Sequence, residues 1–110
     1  MLGTDGTANR DAVRLGRIIR DRRGVLNMTQ PELAERASVS PAYIYMLEVG
    51  GLAHPGLESL LRVARAIDQL RLAELLEEVL ATRDGASLPP SVEEVATAEA
   101  VTRFLRETRA

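Results

Sequence analysis

Two helix-start signals stand close together in the segment MTQPELAERASVSPAYIYMLEVGG, residues 28–51. In the first, Thr29 and Glu32 have the spacing of a capping box, and Pro31 falls in the first turn, where its missing N–H costs nothing. In the second, Ser40 is placed as an N-cap and Pro41 as the first helical residue. Gly50-Gly51 then stops the second helix. Punctuation this dense leaves room for two short helices and a tight turn near Ser38. Two helices that cross steeply need a small residue at the contact and apolar residues on their inner faces. Ala34 supplies the first, and Leu33, Ala37, Val39, Ile44 and Leu47 the second.

The flanking segments are helical as well. From Asp11, a candidate N-cap, Leu15, Ile18, Ile19 and Arg22 recur at three-to-four spacing, and Gly24 is expected to break that helix into a GVLNM loop. After Pro55-Gly56, Leu57, Leu60, Leu61, Ala64 and Ile67 mark another helix. Leu72, Leu75, Leu76, Val79 and Leu80 mark the next, from about Gln69. A last one, with Ser91 and Glu94 at capping-box spacing, carries Val92, Val95, Ala98, Val101, Phe104 and Leu105. No run alternates like a strand, so the fold class is all-α. The expected organisation is a flexible arm at 1–10, a helical domain at 11–83, a linker at 84–90 and a C-terminal helix at 91–110.

Composition excludes several classes of function. Without Cys there is no disulfide, thiolate metal site or thiol nucleophile. His54, the one histidine, has no second His or Cys to join it on a metal. Glu77-Glu78 and Glu93-Glu94 are sequence neighbours that point apart on a helix, so neither pair is a catalytic dyad. No Gly-rich phosphate loop and no serine elbow appear, and neither enzyme activity nor a cofactor is expected. The opening residues lack the apolar run of a secretory signal, and no stretch is long enough to span a membrane. The expectation is a soluble, cytoplasmic protein. All fourteen basic residues are Arg. Six of them lie in residues 1–23 against three Asp, whereas residues 24–61 hold Arg36 against four Glu. The outward Arg62, Arg65, Arg103, Arg106 and Arg109 are read as solvated charges.

Two short helices joined by a tight turn describe a helix-turn-helix. The opening TQ-x-E-L-A, then Y-I-x-x-L-E-x-G, and the later P-x-L-x-x-L-x-x-V-A-x-A-I resemble the Cro/C1 repressor type, or XRE family, over residues 15–76. The resemblance implies a five-helix Cro/C1 repressor-like domain plus the C-terminal helix. It implies a DNA-binding transcriptional regulator, expected to be a repressor, that inserts helix 40–49 in the major groove and acts as a homodimer on double-stranded DNA. By the same resemblance Gln30 contacts the DNA backbone, and Ser40, Pro41, Ala42, Tyr45 and Met46 occupy the outer positions of the recognition helix. Glu48 matches a Glu that pairs with an Arg near the end of helix 1, with both Arg20 and Arg23 in reach. Tyr43 is open to two roles, core packing or a phosphate contact.

The chain departs from the family in ways that bear on function. Ser38 stands where the turn usually has Gly. Tyr45, Met46 and Val49 replace the Ser or Arg common there, and no basic residue follows in Gly51–His54. Three readings fit this apolar face. It reads thymine methyls, with Ser40 and the Tyr hydroxyls as polar contacts, while the six arginines from Arg10 to Arg23 on helix 1 and the N-terminal arm, Arg17 and Arg20 among them, attract phosphate. Alternatively, the motif is degenerate and the patch is a protein-protein interaction module with little DNA affinity. Or the C-terminal helix of its own or a neighbouring chain covers it. That helix is expected to make or extend the dimer contact, with folding back on helix 5 as the alternative. No sensor domain is expected within 110 residues.

Overall fold

The computed structural model describes residues 4–85 and 89–108, with side chains over 10–82 and 89–108. Among them six helices follow in order: α1 (Thr4–Val25), α2 (Gln30–Ala37), α3 (Pro41–Glu48), α4 (Leu57–Ala66), α5 (Leu70–Gly85) and α6 (Pro90–Thr108). The all-α, five-helix core expected from the sequence is present, with no strand among the described residues.

Three boundaries differ from expectation. α1 starts at Thr4 rather than Asp11, so Asp11 is an interior residue and most of the expected arm is helical; residues 1–3 lie outside the described residues. At its other end α1 continues through Gly24, and left-handed Asn27 (φ 60°) turns the chain instead, a conformation Asn tolerates better than most residues. α6 begins at Pro90, ahead of Ser91, because proline suits a first helical position. Part of the expected linker, residues 86–88, lies outside the described residues, as do 109–110.

One core joins all six elements. Ile19, Leu33, Ile44, Leu60, Ile67, Leu72 and Leu76 are fully buried, and Phe104 and Leu105 of α6 join them at 1% exposure. The C-terminal half of α6 therefore folds back onto its own chain, the alternative to an expected dimer contact. Arg14 fastens it to α1 by donating from Nη2 to the Leu105 carbonyl at 3.1 Å, and Thr102 Oγ1 donates to Asp11 Oδ2 at 3.0 Å. Of the expected stripe, Val101, Phe104 and Leu105 are buried. Val92, Val95 and Ala98 stay exposed, and Thr97 and Ala100 take inward places instead. Along α5 and α6, Arg71 bonds Glu74 and, at 2.7 and 2.9 Å, Glu107. Among the described residues no helix is long and apolar enough to cross a membrane.

Candidate nucleic-acid interface

The local chemistry of α2, the turn and α3 determines which face of α3 looks outward. Thr29 Oγ1 accepts from the Glu32 N–H at 3.2 Å, and Glu32 Oε1 accepts from the Thr29 N–H at 2.8 Å, completing the capping box. The bond from the Thr29 backbone holds the Glu32 carboxyl below its ordinary range. At the other end Ser38 adopts the left-handed conformation (φ 57°, ψ 45°), and its N–H and that of Val39 donate to the Glu35 and Ala34 carbonyls at 3.2 and 3.0 Å. Ser40 then starts α3, its Oγ accepting from the Tyr43 N–H at 3.0 Å. With Ile44 and Leu47 turned into the core, helical geometry leaves Ala42, Tyr45, Met46 and Val49 outward.

α3 is seated against α1 by backbone proximity. A Cβ at Gly16 would fall 2.5 Å from the Glu48 carbonyl oxygen and closer still to that of Leu47. Gly50, at φ 75°, packs on Val13, where a Cβ would come within 2.9 Å of the Val13 Cα. Neither the approach at Gly16 nor the contact at Val13 shows in the spacing of apolar residues. A glycine inside an otherwise helical pattern is the signal that marks such an approach.

Glu48 ties this seat together. Its carboxylate is paired with Arg23, not Arg20: Nε donates to Oε2 at 2.6 Å and Nη2 to Oε1 at 2.9 Å. The Glu48 bond raises the Arg23 pKa further above its ordinary value. Gln30 Nε2 also donates to Glu48 Oε1 at 2.9 Å. The Gln30 amide expected on the DNA backbone thus spends one N–H on holding α2 to α3. Tyr43, left open between packing and phosphate, packs: it is half-buried, and its hydroxyl donates to the Pro55 carbonyl at 2.6 Å. Burial pushes that hydroxyl's pKa up.

The expected six-arginine phosphate grip is reduced by the same logic. Arg14, Arg22 and Arg23 serve the fold, Arg22 by donating to the Ile67 carbonyl at 2.8 Å. A carbonyl at the end of a helix lacks an intrahelical donor, and a nearby guanidinium supplies one. For the same reason Arg62, read as solvated, donates to the Ala37 carbonyl at the end of α2 at 3.0 Å. Arg65, likewise read as solvated, pairs with Glu77 at 2.6 Å. Arg17 and Arg20 remain exposed and make no ion pair among the described residues. Three-to-four spacing puts them on one stripe with Val13, beside the seat of α3.

Ser40, Pro41, Ala42, Tyr45 and Met46 are all exposed, and with Val49 and Val13 they form a continuous face without a charge. Tyr45 (54%) and Val49 (51%) are the most exposed of these large apolar residues. α6 packs on α1, α4 and α5 and leaves them uncovered, which removes the reading in which it shields the patch of its own chain. No group of His, Asp and Glu among the described residues is arranged to hold a metal. The face can offer methyl and methylene contacts, one phenolic hydroxyl, and flanking guanidinium groups.

The family model for a helix-turn-helix matches residues 19–75, more than half of the chain and the whole of the α2–turn–α3 unit. No curated protein and no solved structure matches. With the geometry above, that match makes the chain a member of the Cro/C1-type helix-turn-helix family, a family of DNA-binding domains.

Proposed function

We propose that the protein is a sequence-specific regulator of transcription that lays α3 in the major groove of double-stranded DNA. The observation that carries this reading is the uncovered outer face of α3 on a rigidly seated helix-turn-helix. Ala42, Met46 and Val49 offer apolar contacts to thymine methyls, and the Tyr45 hydroxyl offers a hydrogen-bonding group for a base edge. Ser40 and Pro41, at the start of the helix, approach the backbone. Gln30 keeps one N–H for a phosphate, and Arg17 and Arg20 supply the long-range attraction. Repression follows by occlusion, the simplest effect of a small domain on a promoter. A homodimer on a two-fold site is the expected active form, its two α3 helices about 34 Å apart or a multiple of that. The exposed Val92 and Val95 of α6 are the surface we assign to the second copy.

Salt dependence and substitution test this directly. Arg17→Ala and Arg20→Ala should each weaken binding to all sequences alike and lower the salt slope by about 1. Tyr45→Ala and Met46→Ala should instead change which sequence is preferred. Loss of affinity without changed preference in the α3 variants would count against groove reading. A second reading has its own support: residues 37–61 contain no Lys or Arg, and an apolar face of this kind also suits a protein partner.

A further inference from the structure

A cleft of about 480 Å³ opens between α1, the loop at residues 52–56 and α6, on a part of the molecule that the α3 reading does not use. Its size is that of a small-molecule site. Leu15, Leu57 and Val101 of the hydrophobic core form its floor, with Leu52 at the side. Asp11, Glu93 and Glu94 line it together with His54, and among the described residues no arginine does.

We propose that this cleft binds a small hydrophobic cation, an ammonium carried on an aromatic or branched alkyl body. The floor removes the apolar body from water, which is favourable in proportion to the area covered. The carboxylates then favour a positive head and oppose a negative one, more strongly beside an apolar wall than in bulk water. The acceptors are held in place. Asp11 is half-buried and oriented by the Thr102 hydroxyl at 3.0 Å, and the buried Thr97 hydroxyl is turned by its bond to the Glu93 carbonyl at 2.7 Å. Each threonine hydroxyl, its proton engaged in that bond, can meet a further partner only as an acceptor. Charge complementarity therefore selects a cation over a neutral or acidic molecule of equal shape.

The test is an NMR titration of the ¹⁵N-labelled full chain, without DNA, so its outcome is independent of the groove-reading proposal. The probe is 2-phenylethylammonium, with 2-phenylethanol and 3-phenylpropionate as neutral and anionic matches. The ammonium should cause saturable shifts at the amides of Ala12, Leu52–Ala53 and Thr97–Thr102. The alcohol should bind about tenfold more weakly, and the carboxylate should not saturate. Glu94→Gln, at an exposed position, should weaken the ammonium and leave the alcohol unchanged, and Ala98→Phe should block both by filling the cleft. Equal binding of all three probes, shifts elsewhere, or no saturable shift would overturn the proposal. So would cleft amides that move with protein concentration alone, which would make the occupant a second copy of the chain.

Discussion

The guanidinium of Arg23 and the carboxylate of Glu48 meet in a two-pronged pair, at 2.6 and 2.9 Å, that fastens the last turn of α1 to the last residue of α3. The Glu48 side chain is 2% exposed, so its charge has little access to water and depends on this partner and on Gln30. Removing one member of such a pair strands the other. Arg23→Ala should therefore cost about 3 kcal/mol in urea unfolding. Arg23→Lys should recover only part of that, because a point charge cannot satisfy both carboxylate oxygens.

Gly16 and Gly24, on the same helix, should respond oppositely to a methyl group. At Gly16 the added carbon would meet the backbone carbonyls of Leu47 and Glu48, which cannot move without unseating α3. Gly16→Ala should destabilise by about 3 kcal/mol, the upper end for overpacking, and weaken DNA binding with it. At Gly24 an added Cβ would have no atom of the described residues within 4 Å beyond its chain neighbours and its own helix backbone. Gly24→Ala should stabilise by about 0.5–1 kcal/mol through helix propensity, read from the shift in urea midpoint at constant slope.

Ser38 holds a left-handed backbone with a side chain that gains nothing from it. The Cβ penalty there exceeds the extra entropy of a glycine. Ser38→Gly should stabilise by about 0.5 kcal/mol in thermal unfolding, with the outer face of α3 unchanged.

Glu107 links stability to acid. Its hydrogen bonds from Arg71 hold the carboxyl down at about 2, below the ordinary 4.5. A depressed pKa in the folded state contributes stability that is present above pH 4.5 and lost as pH falls toward 2. Glu107→Gln should thus lower the melting temperature slightly at pH 7, and the difference should close between pH 4.5 and 2. A gap that stayed constant to pH 2 would assign the effect to packing rather than to charge.

Much of this fold is legible in the chain itself, because its signals are local. The Thr29 and Ser40 caps, the prolines beside them, and the periodic leucines of α4 and α5 each act within a few residues. The helix-turn-helix core at Leu33, Ala34, Ala37, Ile44 and Leu47 follows from the same spacing. What is hidden depends on distant partners. The choice of Arg23 over Arg20 turns on the phase of α1, which runs on past Gly24. The use of Arg14, Arg22 and Arg62 on helix-end carbonyls depends on tertiary geometry that spacing does not contain. The apolar stripe of α6 can be read, but whether it meets its own chain or another cannot. The packing of Phe104 and Leu105 into the core decides that for its C-terminal half.

The most direct measurement is selection of fragmented genomic DNA by the purified protein at near-physiological salt, followed by sequencing. An enriched palindrome with half-sites spaced by whole helical turns is expected, and an altered motif for Tyr45→Ala. Uniform weak binding or none, with the chain folded, would contradict groove reading and assign the face of Tyr45, Met46 and Val49 to a protein partner.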